Sequence, residues 1–480
     1  MSAKKSKVYL ISLIFILMAG SCAPSLQRKQ PETAALPLEY PESHSTPESE
    51  DLARKVWQEF FKDEQLAELL KLAVQNNQEL AIVEQEINIA NNETMARYGE
   101  YLPKVSADSD AGIEQTERFS TEDANSQTRF GRMGLSMSWE IDIWNKLHNA
   151  TKASYMRYLS SIDGRRYVVT NLVAEVANTY YELMSLDKQL AIVDNFIDIL
   201  SQVQTIVAKQ RDAGRVTTLA VKRFEAEVAK NKARKFEIQQ QIGTTENRLN
   251  QLLGRYPQPI SRKAEAFLNL AFTNLQTSIP VKLLDNRPDV MAAVYNVEAA
   301  KLDVEVARAR FYPALTIDAG VGYEAFNSEH FEGTPVSLFY GLAAGLTAPV
   351  LNRKAIKAAY YTANEKQIQA VYNYEQTLIR AFTEVSNQMI KLKNLHSKFE
   401  LKEEQVAALE DAVRISNLMF RAARVEYIES LLTQRDYLES QIELVEIKKQ
   451  ELIAGIGLYK AIGGGWRGQY EPETESYWEP

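Results

Sequence analysis

The stretch that decides the fold is Met133-Gly134-Leu135-Ser136-Met137-Ser138-Trp139-Glu140-Ile141-Asp142-Ile143. Its odd-numbered positions are apolar, and its even-numbered positions are glycine, serine or acidic. This period of two is typical of a β-strand that has one apolar face and one wet face. The stretch therefore predicts a two-faced sheet, and the rest of the chain has to explain what covers the apolar face.

Three further segments alternate in the same way. The four predicted strands lie near 104–114, 130–143, 314–324 and 338–350. Polar stretches at 115–128 and 325–337, rich in serine, threonine, glutamate and asparagine, separate the two members of each pair and predict loops. The sheet is therefore expected to consist of two hairpins that are far apart in the chain.

The two strand pairs belong to an internal repeat. Residues 76–112 align with 286–322 without a gap, and the match continues to Gly254 and Gly463 with small changes of register. The sequence of each copy predicts a helix, two strands and two very long helices. The predicted organisation is a signal peptide at 1–21, a lipidated N-terminus and linker at 22–55, a first repeat at 56–255, a linker at 256–285, a second repeat at 286–466 and a C-terminal tail at 467–480.

The long helices are indicated partly by the distribution of proline. None of the 15 prolines lies between Pro103 and Pro257 or between Pro349 and Pro472, and apolar residues recur there at alternating spacings of three and four. This spacing favours coiled-coil packing of amphipathic helices. The breaks at 212–214 and 422–423 predict the tips of two helical hairpins.

Composition excludes several classes of function. The net charge of −8 argues against a nucleic-acid partner, and a single cysteine excludes disulfides within the chain and thiolate metal clusters. The four histidines are scattered without metal-binding spacing, and no phosphate-loop motif accompanies Gly463-Gly464-Gly465. We therefore expect no enzyme site and no metal.

The cysteine, Cys22, follows a short apolar run. Lys4, Lys5 and Lys7 precede apolar residues 8–18, a length typical of a signal peptide rather than of a membrane-spanning helix. The sequence Ala19-Gly20-Ser21-Cys22 resembles a bacterial lipobox, which predicts cleavage before Cys22 and a covalent lipid on it. An ordinary signal peptide with a chance cysteine is the alternative.

Four strands in one chain cannot form a closed sheet. An open edge cannot lie in lipid, because no water satisfies its backbone groups, and closed membrane barrels need at least about eight strands. Two chains would supply eight strands and three chains would supply twelve. The sequence therefore predicts several chains that pool their strands in a membrane and their long helices in a second, helical cylinder.

The chain resembles the TolC-like outer-membrane efflux channels, in their lipoprotein branch. The resemblance lies in the segments 139–142, 283–290, 307–313 and 458–466, which read WEID, LLDNRPDV, ARARFYP and LYKAIGGGW. It implies a mainly helical homotrimer with a 12-stranded barrel in the Gram-negative outer membrane and a helical tunnel in the periplasm. It also implies docking onto a periplasmic adaptor and an inner-membrane pump of the RND class, with no cofactor apart from the lipid on Cys22.

Two sets of residues are candidates for function within such a channel. The polar phase of the strands predicts that Asp108, Asp110, Asp142 and Asp318 face a water-filled lumen. The resemblance places a periplasmic gate in the second hairpin, where Glu426, Ile428 and Glu429 are the matching positions. Leu432 stands where many relatives have aspartate, and the first copy has Leu219 and Ala220 at the positions of Ile428 and Glu429. Solvated glutamates on a helix face are the simpler interpretation.

Three functions are compatible with this sequence. The first is the exit channel of a small-molecule efflux pump, and the second is a channel of the same fold for type I protein secretion. The third is a lipid-anchored periplasmic coiled-coil scaffold, which leaves the four alternating strands unexplained. The lipobox and the Gly-Gly-Gly-Trp ending favour the first.

Overall fold

The computed structural model describes residues 23–26, 37, 52–115, 127–272, 286–326, 337–348, 353–422 and 424–467. The predicted signal peptide, Cys22, most of the linker to residue 55 and the tail after Arg467 lie outside these ranges. Most of both predicted strand-connecting loops lies outside them too, while the loop ends 115, 127–128, 325–326 and 337 belong to strands. The described elements of each copy follow one order, which is helix, two strands and two long helices.

The first copy begins with short helices that lead into the sheet. Its elements are α1 (Trp57–Phe61), α2 (Glu64–Asn76), α3 (Gln78–Tyr101), β1 (Lys104–Gln115), β2 (Gln127–Ile141), α4 (Lys146–Asp212) and α5 (Thr218–Leu252). The second copy repeats the unit from α3 onward. Its elements are α6 (Pro288–Ala309), β3 (Ala314–Phe326), β4 (Ser337–Thr347), α7 (Lys354–Arg421) and α8 (Tyr427–Ala461). A 3-10 helix, Ala264–Asn269, lies in the described part of the linker between the copies.

The predicted fold class is confirmed: the described part of the chain is mainly helical, with a tandem repeat and four strands. The strands form one antiparallel sheet in the order β1-β2-β3-β4. The central pair joins the two copies, because Ser138 of β2 lies opposite Asp318 of β3. The outer edges of β1 and β4 carry no strand partner among the described residues of the chain.

One strand ends earlier than the sequence predicts. β2 ends at Ile141 rather than near 143, since the amide of Ile143 donates to the Ile141 carbonyl at 2.9 Å and Asn145 takes a left-handed conformation with φ of 54°. The chain thereby leaves the sheet and enters α4. β4 is described to Thr347, and the predicted end near 350 lies outside the described residues.

Helices α4 and α7 have 67 and 68 residues. At 1.5 Å per residue each is about 100 Å long, some three times the thickness of a bilayer core. Helix α4 is long and apolar enough to cross a membrane by composition alone. Its neighbours are protein, however, because it packs against α2, α3, α5, α6 and α8. Both helices end where the hairpin tips were predicted, at Asp212 and Arg421.

The main hydrophobic core lies where the short N-terminal helices cross the long ones. Phe60 stacks on Tyr459 with ring centroids 4.1 Å apart, and Phe272 covers the other side of Phe60 at 4.8 Å. Leu66 and Leu70 of α2 are fully buried in the same cluster, against the middle of α4 and the end of α8. This core fixes the long helices relative to one another.

Glycines close both copies in the same way. Gly254 follows α5 with φ of 66°, and a Cβ there would lie 2.2 Å from the carbonyl oxygen of Asn76. Gly463 follows α8 with φ of 89°, and a Cβ there would lie 2.4 Å from the carbonyl oxygen of Asn286. Left-handed backbone and close approach both require glycine, so the last helix of each copy is followed by a glycine for the same two reasons.

Candidate functional site

One face of the sheet is apolar and uncovered. It carries Val105 and Ile113 of β1, Met133 and Leu135 of β2, Val321 and Tyr323 of β3, and Leu338, Tyr340, Leu342 and Leu346 of β4, each about half exposed or more. Tyr340 and Leu342 are 83% and 79% exposed. An apolar surface of this size does not persist in water and marks contact with lipid or protein.

The opposite face of the same strands is polar. Asp108 accepts hydrogen bonds from the hydroxyls of Ser136 and Ser106, and these two serine hydroxyls are 2.7 Å apart. Asp318 accepts from the Ser138 hydroxyl at 2.7 Å. Each copy therefore supplies one aspartate that is held by a serine of β2. The serines were visible in the alternating stretch, but only the strand register shows their pairing with the aspartates.

Further from the helices, the polar face carries an ion pair over an aromatic ring. Arg132 donates to Glu324 at 2.8 Å, and its guanidinium lies 5.4 Å from the ring centre of Phe339. Phe339 lies flat because Gly134 and Gly322 have no side chains: a Cβ on Gly322 would be 2.9 Å from the ring. Sequence reasoning missed this group, since an aromatic residue in the polar phase has no simple periodic signal.

The four predicted lumen aspartates do not share one environment. Asp108 and Asp318 lie on the polar face, and Asp110 lies in the same phase of β1, opposite Arg132. Asp142 lies beyond the end of β2, and its carboxylate accepts the backbone amide of His148 at 2.7 Å. Its role in the structure is to satisfy an amide at the start of α4, as helix-capping residues do.

The predicted gate residues lie at the start of α8. Glu426 precedes the helix and Glu429 lies in its first turn, and both are exposed, whereas Ile428 is half-buried. The Glu429 amide donates to the Glu426 carbonyl at 3.2 Å. Within the described residues, neither glutamate has an ion-pair partner, so both carboxylates are open to solvent or to another chain.

A buried polar group lies one turn further along α8. Asn417 of α7 accepts from the Ser430 hydroxyl at 3.2 Å and from the Gln434 amide at 2.9 Å, although Ser430 and Gln434 are each 1% exposed. The Gln434 carbonyl oxygen has no partner among the described residues. Burying an unpaired polar atom costs stability, so the two helices of this hairpin are weakly joined here.

The residues that follow Cys22 lie beside the base of the sheet. Ala23 and Leu26 pack against Val304, Phe311 and Tyr360, where α6 and α7 meet the strands. Cys22 itself lies outside the described residues. The described residues Ala23 and Leu26 lie at the junction of the sheet and the helices.

The described part of the chain offers no grouping for metal or acid–base chemistry. No three His, Cys, Asp or Glu side chains in these ranges are arranged to hold a metal ion. His396 has carboxylate neighbours, with Glu451 at 3.1 Å and Glu400 at 3.6 Å, on an exposed helix surface. The feature that stands out in the described residues is the sheet, which has one apolar face and one polar face.

The sheet has one apolar and one polar face, its outer edges have no strand partner among the described residues, and it continues into helices about 100 Å long. This arrangement is typical of a subunit of a membrane channel. The sequence profile of the family described as outer membrane efflux protein matches residues 69–255 and 279–464. The chain belongs to this family and is an efflux channel protein of the Gram-negative outer membrane. The two matched segments also correspond to the two copies of the repeat.

Several curated relatives match over nearly their whole length. A probable outer membrane lipoprotein, SilC of Salmonella typhimurium, is 27% identical over 96% of this chain and 99% of its own. The pyoverdine export outer membrane protein OpmQ of Pseudomonas putida is 27% identical, with 89% and 91% covered. The cation efflux system protein CusC of Escherichia coli is 24% identical, with 86% and 88% covered.

Solved structures agree on the fold. The outer-membrane channel OprN superposes with a TM-score of 0.83 over 93% of this chain and 99% of its own, at 20% identity. The open state of MtrE from Neisseria gonorrhoeae gives 0.82 over 93% and 99%, also at 20% identity. The resemblance to TolC-like channels is therefore confirmed in sequence and in structure.

Proposed function

We propose that the chain forms a homotrimeric exit channel that passes small molecules from an inner-membrane RND pump and a periplasmic adaptor to the exterior. The observation that carries the proposal is the four-stranded sheet with one exposed apolar face and two edges that have no strand partner among the described residues. In lipid, those edges have to pair with other strands, and identical chains supply them. Three chains give a barrel of twelve strands, the number that the family resemblance implies.

The long helices support the second half of the proposal. Helix α7 has large exposed apolar residues along its length, including Tyr372, Ile379, Leu401 and Leu418, which are 56–68% exposed. The α4–α5 and α7–α8 hairpins extend from the same end of the sheet, so a closed ring of sheets would place the hairpins in a ring too. Neighbouring α7 surfaces would then be covered, and the hairpins would enclose a water-filled tunnel.

We define the proposed cargo by its size and not by its chemistry. Relatives at similar identity are named for cation efflux and for pyoverdine export, which are chemically different cargoes. A shared duct with different pumps accounts for this spread, because the pump selects and the duct conducts. Small molecules are therefore the proposed cargo, and a docked pump is the proposed source of energy.

We infer that Cys22 carries a covalent lipid. Ala23 and Leu26 pack at the base of the sheet, so an acyl chain on the preceding residue would reach the inner surface of the bilayer that the strands cross. Intact mass measurement of the purified protein tests this inference. Wild-type protein is expected to begin at Cys22 with added acyl mass and Cys22→Ser to lack it; an unmodified Cys22 would contradict the inference.

The lumen and gate assignments complete the proposal. Asp108, Asp110 and Asp318 would line the barrel lumen, with Asp142 at the point where the barrel meets the tunnel. Glu426, Ile428 and Glu429 would form the periplasmic constriction, since they lie at the hairpin tip and three copies would bring like charges together. The negative charge of such a ring attracts cations.

The decisive experiment combines oligomeric mass and single-channel conductance on one purified, bilayer-reconstituted sample. A trimer with discrete conductance steps is the expected result, and a monomer that never conducts would overturn the proposal. Leu342→Arg places charge on the apolar face and should abolish insertion, because an arginine at mid-membrane on a barrel exterior costs roughly 2–4 kcal/mol per chain. Ala343→Arg, on the polar face of the same strand, is the matched control and should still conduct.

A further inference from the structure

A cavity of about 370 Å³ lies where the sheet meets the helices. It is built from the ends of α3 and α6, the start of α4, and the neighbouring residues of β1, β2 and β3. Six charged side chains line it: Arg97, Glu100, Lys104, Glu140, Lys146 and Arg310. Its size is within the range of pockets that bind small solutes.

The positive charges in this cavity outnumber the negative charges that pair with them. Lys146 forms an ion pair with Glu140, and Arg97 pairs with Glu100 at 3.3 Å and with Glu93 outside the cavity at 2.9 Å.

The two remaining cations have no such partner. Among the residues that the structure describes, neither Lys104 nor Arg310 forms an ion pair. Arg310 lies at the C-terminal end of α6, where the helix dipole offers only about half a negative charge. The cavity therefore keeps an uncompensated positive charge.

The start of α4 adds to this charge. Helix α4 begins at Lys146 and has no acidic residue in its first turn, so the positive end of its dipole points into the region that Leu147 lines. Asp142 occupies one amide, that of His148. Asp142 lines an adjoining cavity together with Lys146 and Arg310, but among the described residues it forms no ion pair with either of them.

The cavity opens on the polar face of the sheet. Lys104 lies opposite Ser138, and Ser138 donates to the lumen aspartate Asp318. Thr316, opposite Glu140, lines the cavity in the same phase. Under the proposed function, on which this inference rests, the polar face is the channel lumen and the cavity is a recess in its wall.

The repeat shows that this charge is not needed for the fold. At the aligned positions the second copy has Ala307 for Arg97, Ala314 for Lys104 and Thr347 for Glu140. The same junction of helix and strand therefore forms without these charges.

A neighbouring chain would not neutralise the recess either. The described segments 337–348 and 353–364, which would lie beside β1 when sheets pair edge to edge, contain no Asp or Glu.

We propose that this recess is an oxyanion-binding site, where the phosphate or carboxylate group of a solute in transit is held between Lys104 and Arg310. It lies at the helical end of a barrel whose polar face carries Asp108 and Asp318. An anion that reaches the barrel from the tunnel therefore meets a positive recess before the acidic face. The site gives anionic solutes a place to bind at the entrance to the barrel.

The test uses inorganic pyrophosphate as the probe and isothermal titration calorimetry as the measurement. The full-length protein is titrated in a non-ionic detergent, so that no lipid phosphate competes for the site. The site variant is Lys104→Gln with Arg310→Gln. The control is Lys71→Gln with Lys232→Gln, which removes two positive charges from exposed helix positions outside the cavity.

Wild type and control are expected to bind pyrophosphate equally, and the site variant roughly tenfold more weakly, since two charge-assisted contacts are lost. Restoring charge with Lys104→Arg and Arg310→Lys should return the affinity to within about threefold of wild type. Equal affinity in the site variant and the wild type, or no binding by the wild type, would overturn the proposal.

Conductance of the same samples separates this inference from the proposed function. Pyrophosphate should reduce the single-channel current of the wild type, with a half-blocking concentration about tenfold higher in the site variant. Binding without any conductance would leave the site standing and refute the channel. Conductance that pyrophosphate blocks equally in wild type and site variant would refute the site alone.

Discussion

The two helical hairpins are copies of one unit, yet they bury different chemistry near their tips. Helix α5 of the first hairpin buries Ala220, Val221, Phe224 and Val228. At the same spacing, α8 of the second hairpin buries Ser430, Leu431, Gln434 and Leu438. We call each set of four buried residues a seam. The first seam is apolar at all four positions, while the second has serine and glutamine in place of alanine and phenylalanine.

This difference assigns the hairpins different mechanical roles. An apolar seam holds through packing and loses stability in proportion to the surface that it exposes. The second seam depends on two hydrogen bonds to Asn417 and leaves the Gln434 oxygen unpaired among described residues. Water can replace those hydrogen bonds when the helices part, so we expect the second hairpin to open more readily.

What both copies retain is the closing glycine, and its loss should have the largest effect. Gly463→Ala forces an alanine into left-handed backbone and against the Asn286 carbonyl, and should cost about 4 kcal/mol of unfolding free energy. Gly254→Ala meets Asn76 in the same way and should cost a similar amount. Guanidinium unfolding of the purified protein, followed by tryptophan fluorescence, measures both.

Gly214→Ala is the matched control for these variants. Gly214 also has a positive φ, of 73°, but nothing lies within 4 Å of a Cβ there. Only the cost of placing alanine in left-handed backbone remains, so Gly214→Ala should lower the unfolding free energy by about 1 kcal/mol. If all three glycine variants lost the same stability, the close approach to Asn76 and Asn286 would not be what selects glycine.

Exchanging the chemistry of the two seams should have the next largest effect. Phe224→Gln places an amide in the apolar seam and should cost about 3 kcal/mol, whereas Gln434→Leu removes the unpaired oxygen and should gain about 1 kcal/mol. Gln434→Leu should also lower the single-channel open probability, because it ties α8 to α7. An open probability that is unchanged or higher in Gln434→Leu would contradict the assignment of the second hairpin as the mobile one.

The ends of the two copies also differ in their response to alkaline pH. Tyr459 of α8 is buried, and burial raises its pKa above the usual value near 10, although Arg467 and a backbone hydrogen bond with Gly465 oppose the rise. Its hydroxyl donates to the Lys55 carbonyl at 2.6 Å. The corresponding residue of the first copy is Asn250, which does not ionise.

A raised tyrosine pKa contributes stability that is complete below pH 10 and is lost as pH rises further. The unfolded chain releases the proton first, so unfolding free energy should fall by about 1.4 kcal/mol per pH unit for this group. Tyr459→Phe should reduce that slope by one proton. The remaining slope includes contributions from other buried tyrosines, among them Tyr180 and Tyr181, whose pKa values burial also raises. Equal slopes in wild type and Tyr459→Phe would show that Tyr459 does not contribute.

The sequence was sufficient for features that repeat with a period. Alternation over 133–141 predicted the strand, absence of proline predicted the long helices, and self-alignment predicted the two copies. It was insufficient where contacts between distant elements decide. In the sequence alignment of the two copies, Ala220 corresponds to Glu429. In the pattern of buried residues, Ala220 corresponds to Ser430, because packing between helices decides which positions are buried. Asp142 fitted the alternation but caps α4, since a strand's end depends on where the chain must turn.

The smallest expected effect concerns the exposed glutamate of the second tip. The first copy has an apolar residue at the position of Glu429, so the proposed trimer would carry a ring of three carboxylates from one repeat only. Glu429→Gln should lower the cation-to-anion permeability ratio roughly twofold at low salt and less at high salt, because mobile ions screen exposed charges. Reversal potentials across a salt gradient measure the ratio.

Glu429→Asp should retain the ratio, and Glu403→Gln, which removes an exposed carboxylate from α7 away from the tip, should leave it unchanged. Equal ratios for wild type and Glu429→Gln would mean that Glu429 is a solvated helix residue, and the constriction would then depend on the seam around Gln434 rather than on charge.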